Sequence, residues 1–149
     1  MHFYLDFHRE SFFILQSMEI LIKLISRGEN KMLKAEKWFD YEFEGYGTTT
    51  EEYEQFQRDC KSDLTKMAKD NGMELVDFSK NHFCFSAVLA YGEKFVYVYV
   101  SDVRHGNWNS NTRVLVRTMQ HIRDFRGGVN NYCSWTKVGE FARKLMDRD

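Results

Sequence analysis

The stretch Phe85–Val100, FSAVLAYGEKFVYVYV, constrains this chain more than any other. Aromatic, aliphatic and small residues alternate with period two on both sides of Gly92-Glu93. A two-residue loop with Gly first suits a type II′ turn, because Gly supplies the positive φ that turn requires. The turn then fixes the hairpin register. Tyr91 should face Lys94, Leu89 face Val96, Ala87 face Val98 and Phe85 face Val100. On the other side Ala90 pairs with Phe95, Val88 with Tyr97 and Ser86 with Tyr99. The first side reads as ordinary core that takes a helix. The second sets small residues against a row of three aromatics.

The elements around the hairpin follow from the same periodicities. Phe39, Tyr41 and Phe43 alternate with Asp40, Glu42 and Glu44, which predicts a half-buried strand ended by Gly45 and Gly47. Thr49 followed by Glu52 predicts a capping box. Behind it, Tyr53, Phe56, Cys60, Leu64 and Met67 recur at helical spacing until Asn71-Gly72 supplies a left-handed stop. Residues 73–79, MELVDFS, predict a short strand, and Ser79 to His82 a turn. After a polar loop, HGNWNSN, residues 112–118 predict a strand with Val114 and Val116 inward and Arg113, Leu115 and Arg117 outward. The segment DFRGGVNNYC is expected to be irregular. Ser134 is expected to cap a closing amphipathic helix with Trp135, Val138, Phe141, Ala142 and Leu145 on its apolar face.

The resulting order is β-α-β-β-β-β-α. It predicts an α+β fold with a mainly antiparallel sheet of about five strands, one long helix packed on the sheet and a C-terminal helix. At 149 residues one domain is expected. A composition 43% hydrophobic and 29% charged excludes a disordered or membrane-embedded chain. The absence of Pro and an aromatic content of 16% suit a sheet-rich domain. Cys60, Cys84 and Cys133 are odd in number and lack CxxC spacing. That argues against a disulfide framework or zinc site and for a reducing cytoplasm.

Residues 1–31 raise a separate question. Arg27–Met32, RGENKM, back-translates as AGG GGA GAA AAT AAA ATG, a purine-rich GGAG just ahead of a start codon. Residues 1–31 therefore read first as a translated leader, with Met32 as the native start and 32–149 as the domain. A packed amphipathic helix and a membrane-surface helix are the alternatives. The segment lacks the roughly twenty apolar residues of a membrane span, and the features of a secretory signal.

Charge is uneven, although the net value is −1. Residues 34–79 carry twelve acids and six bases, and residues 103–149 carry nine bases and four acids. The two halves either neutralise each other within the fold or leave a basic part facing an anionic partner. Phe95, Tyr97 and Tyr99 with Arg113 and Arg117 form the first candidate site. Aromatics on a sheet with flanking Arg hold single-stranded nucleic acid by stacking and phosphate contacts. The competing expectation is that the C-terminal helix covers this row as core, with Tyr97 at its centre. The second candidate is Arg126-Gly127-Gly128, where consecutive glycines can form an anion-binding nest or a plain turn. Asp102, His105, His121 and Asp124 have no spacing specific to a metal site, and no metal or cofactor is expected. No nucleophile–base arrangement appears, so the chain is expected not to be an enzyme.

Val114–Tyr132, VLVRTMQHIRDFRGGVNNY, resembles a stretch in small proteins carried on conjugative and phage-like elements of bacteria. The pattern there is a strand ending in Arg-Thr, an Asp, Gly-Gly and Asn before a closing helix. Here it falls on Arg117, Thr118, Asp124, Gly127, Gly128, Asn130 and Asn131. The resemblance implies a cytoplasmic accessory protein of a mobile element that binds host or defence machinery, and it brings no activity with it. Two expectations follow: a non-enzymatic protein that binds a protein or nucleoprotein partner, or a single-stranded nucleic-acid-binding module. No membrane partner is expected.

Overall fold

The computed structural model describes residues 3–28, 32–43, 49–80, 84–105 and 114–148. The chain divides into two compact units, Met1–Met32 and Leu33–Asp149. The first holds one helix, α1 (Phe3–Gly28), whose apolar residues include Phe12, Phe13, Leu15 and Leu21. Among the described residues no helix is long and apolar enough to cross a membrane.

The second unit is α+β. Helix α2 (Glu51–Asp70) is followed by β1 (Glu74–Ser79), β2 (Phe85–Tyr91), β3 (Lys94–Val100), β4 (Val114–Met119), β5 (Asn131–Cys133) and α3 (Val138–Arg148). The strands form one antiparallel sheet in chain order. The β2–β3 register matches the turn argument at all seven pairs, from Tyr91↔Lys94 to Phe85↔Val100. Gly92 has φ +59°, as the turn requires.

Helix α2 starts one residue later than its capping box suggests. Thr50 is the N-cap, and its hydroxyl accepts the Tyr53 N–H at 3.2 Å. Its predicted apolar residues are all buried, and Gly72 at φ +72° lies just past its end. They pack with Phe85, Ala87, Leu89, Val96, Val98, Val100, Val114 and Val116 in a single core. Helix α3 adds Val138, Ala142, Leu145 and Met146 to that core, so both helices lie on one face of the sheet. Ser134 makes no side-chain cap. A 3-10 turn, Trp135–Lys137, leads into α3 instead.

The strand expected at residues 39–43 does not form. Lys34–Trp38 is a 3-10 helix, and the chain after it is turn and coil. Carboxylates of α2 explain the difference. Asp63 accepts the backbone N–H groups of Lys34 and Ala35, each at 2.8 Å, and Trp135 Nε1–H at 3.1 Å. Asp59 accepts Trp38 Nε1–H at 2.8 Å. With its entry pinned in this way the chain turns at once, and the Phe39 and Tyr41 N–H groups go to the Glu36 and Trp38 carbonyls and not to a sheet ladder. Phe43 is still buried, against Phe56 and Tyr53. The short β5 lies inside the segment expected to be irregular. The glycines at 45 and 47, the 81–83 part of the Ser79–His82 turn and the loop at 106–113 lie outside the described residues, and Arg113 with them.

Candidate functional site

The second face of the sheet has the composition its alternation predicts. Ser86 and Val88 of β2, Phe95, Tyr97 and Tyr99 of β3, and Leu115, Arg117 and Met119 of β4 share it. Because α3 lies beside α2 on the core face, neither of these two helices covers the second face. The expectation that α3 buries the aromatic row is therefore overturned. Apolar periodicity in α3 shows that the helix buries a face, but not which side of the sheet receives it. Phe95, Tyr97 and Tyr99 are each half-buried.

Pairing across the strands sets the local geometry. Tyr97 lies opposite Arg117, and Tyr99 opposite Leu115. The Tyr97 and Tyr99 rings are parallel within 8°, with centroids 6.4 Å apart. The Arg117 guanidinium carbon lies 5.0 Å from the Tyr97 ring centroid, within cation–π range. Burial pushes the Tyr99 phenol above its usual pKa, helped by the nearby Tyr97.

The β4–β5 connection, residues 120–130, is a part of the site of which pattern reading singled out only Arg126-Gly127-Gly128. Asp124 organises it. Its Oδ2 accepts the Gln120 N–H at 3.0 Å and its Oδ1 the Gly127 N–H at 2.8 Å. These backbone donors hold its carboxyl below the ordinary carboxylate pKa. The Gly127 N–H is thus already taken, so Gly127 closes a turn rather than cradling an anion. Gly128, at φ +83°, lets the loop lie on β4. A Cβ there would sit 2.5 Å from the Thr118 carbonyl oxygen and 2.9 Å from Arg117 Cγ. Asp followed three residues later by Gly is an Asx-turn signal, and it could have identified this role.

The loop also carries exposed apolar side chains. Ile122 is 43% exposed, Phe125 53%, Val129 75% and Tyr132, at the start of β5, 59%. Arg123 and Arg126 are exposed among them. Phe125 sets its ring at 77° to Tyr97, with centroids 6.0 Å apart, which ties the loop to the aromatic face. A cavity of about 440 Å³ opens where this loop meets the sheet, lined by Phe95, Met119, Gln120, Asp124 and Gly128 among others.

Arg117 is the most unusual residue of the site. It is 9% exposed, and its Nε and Nη2 are buried with no hydrogen-bond partner among the described residues. The two atoms form one edge of the guanidinium, the edge that can give two parallel bonds to a carboxylate or phosphate.

The remaining reactive groups are committed elsewhere. Asp102 accepts the Arg104 backbone N–H at 3.0 Å and its guanidinium at 2.6–3.1 Å, and His121 Nδ1 accepts the Arg123 N–H at 3.3 Å. Among the described residues, no three His, Cys, Asp or Glu side chains are grouped to hold a metal ion. Burial pushes the Cys84 thiol up to about 12 and the Cys133 thiol up to about 11, and raises Cys60 well above its ordinary value. None is a thiolate nucleophile at neutral pH. No family model, curated protein or solved structure matches this chain.

Proposed function

We propose that this chain is a non-enzymatic accessory protein of a bacterial mobile element, and that it acts by occupying a surface on a protein or nucleoprotein partner such as host defence machinery. The binding surface in this reading is the 120–130 loop with Tyr132. The observation that carries it is the exposed set Ile122, Phe125, Val129 and Tyr132, interleaved with Arg123 and Arg126. Phe125 packs on Tyr97, but Ile122, Val129 and Tyr132 are left exposed beside it, and aromatic residues and Arg are the groups enriched at binding hot spots. Asp124 pre-organises the loop, which lowers the ordering cost of association. The likeness of residues 114–132 to proteins of mobile elements supports the biological setting.

Affinity purification of the tagged full chain from a bacterial host, beside a Phe125→Ser/Val129→Ser variant, tests the reading. A stoichiometric partner held by the wild type and lost by the folded variant is the expected result. A partner held equally by both would reject the loop as the binding surface.

The half-buried aromatic row favours a second reading, binding of single-stranded nucleic acid. Tyr97 and Tyr99 offer rings for base stacking, and Arg117 offers a cation beside them. In that case affinity for an oligonucleotide falls with added salt, because phosphate contacts release counterions.

A further inference from the structure

A buried guanidinium edge without a partner is costly, since each unmet donor retains its desolvation penalty. Arg117 is not short of protein around it. Its stem lies against the Gly128 backbone and its head beside Tyr97. No hydrogen-bond partner reaches its Nε or Nη2 among the described residues, and the carboxylate of the adjoining loop, Asp124, is committed to backbone N–H groups. The unmet donors Nε and Nη2 are parallel and lie on one side of a planar group. This arrangement suits two oxygens carried on one atom better than two separate acceptors.

We propose that the Nε/Nη2 edge of Arg117 is a receptor for the phosphate of a nucleotide, reached when the 120–130 loop lifts from the sheet. Three observations select this ligand and route. Gly128 lies against the Arg117 stem and also lines the 440 Å³ cavity, so a shift of the loop at Gly128 joins that cavity to the fork. The Asp124 hydrogen bonds are internal to the loop and its flanks, so the loop can move as a unit without losing them. The Tyr97 ring beside the guanidinium, parallel to Tyr99, can take a base, and the loop carries Arg123 and Arg126 as exposed positive charges that suit a phosphate. The inference goes beyond the docking role of the loop. It deepens the nucleic-acid reading, and rests on that reading only for the source of the nucleotide.

Nitrogen-15 NMR of the full chain tests it, following the side-chain Nε–H resonance of Arg117. The probes are inorganic phosphate, thymidine monophosphate and a short oligothymidylate, with acetate at equal ionic strength as control. A saturable shift with thymidine monophosphate or the oligonucleotide, and little with acetate, is expected. Arg117→Gln should weaken binding roughly ten- to a hundredfold, the weight of one charge-assisted bidentate pair. Arg117→Lys should also weaken it, because it keeps the charge and loses the fork. Unchanged amide spectra away from the sheet face establish that the variants are folded. Binding of the monophosphate as tight as that of the oligonucleotide keeps the phosphate site and removes the strand reading. No saturable shift with either nucleotide probe, equal shifts with acetate, or undiminished binding by Arg117→Gln each overturns the proposal.

Discussion

On the helix-covered face of the sheet, Phe85, Ala87, Leu89, Val96, Val98 and Val100 are wholly buried, and every one is apolar. Across the same strands, the other face carries half-buried Phe95, Tyr97 and Tyr99 and a buried arginine with two unmet donors. The backbone is shared, so the strands do not account for the difference. What differs is the cover. Two helices exclude water from one face, and a loop with exposed apolar tips lies against part of the other. The first face is built for stability. The second keeps polar and aromatic groups that stability alone does not call for.

The sharpest way to break this comparison is to truncate one residue on each face. Leu89→Ala should cost roughly 3–4 kcal/mol, because it removes a fully buried side chain from packed surroundings. Tyr99→Ala should cost only about 1–2 kcal/mol, since half-burial withdraws less apolar area from water. Urea denaturation of both variants measures the gap. Equal losses would show that the aromatic face is core as well.

The hairpin joins the two faces and sets which residue belongs to each. Gly92→Val should cost on the order of 1–3 kcal/mol, because a β-branched residue strongly disfavours the φ of +59° there. Nothing lies within 4 Å of a Cβ placed on Gly92, so the loss would be conformational rather than steric. A melting temperature equal to that of the wild type would count against the turn, and with it against the assignment of faces.

The parts that sequence made legible share a short range. The β2–β3 register was readable because a two-residue turn allows only one pairing, and the α2 face because helical spacing is local. The 34–43 segment was not readable. Its alternating aromatics suggest a strand, but its conformation is set by Asp59 and Asp63, more than twenty residues away in the chain. The candidate site was half legible. Phe95, Tyr97, Tyr99 and Arg117 were found by alternation. The loop beside them was legible only as a glycine pair, because the contacts of Phe125 with Tyr97 and of Gly128 with Arg117 are purely tertiary.

The Asp59 carboxylate that holds Trp38 to α2 gives this segment a pH dependence. Burial raises the Asp59 pKa, but hydrogen bonds from Trp38, Lys37 and Gln55 outweigh it and leave a net depression. A carboxyl depressed on folding contributes stability above its unfolded pKa and loses it as pH falls through the folded value. Wild type should therefore exceed Asp59→Asn in melting temperature at pH 7, and the gap should shrink below about pH 4. A gap independent of pH would show that packing, not charge, holds the segment.

The smallest effect expected is also the most discriminating between the faces. Arg117→Met replaces the guanidinium with an apolar side chain that can lie along the same path between Gly128 and Tyr97. It gives up a cation–π contact worth about 0.5–1 kcal/mol and removes unmet buried donors that cost about 1–3 kcal/mol. The net change in stability should be within about 1 kcal/mol of zero, on the stabilising side. On the covered face the outcome reverses. Val98→Arg would bury an unpaired cation in an apolar core and should abolish cooperative folding. If Arg117→Met instead lost more than about 2 kcal/mol in a urea melt, Arg117 would be a paired structural residue. The two faces would then differ in composition and not in purpose. Little or no loss would mean that the arginine is kept for something other than the stability of the fold.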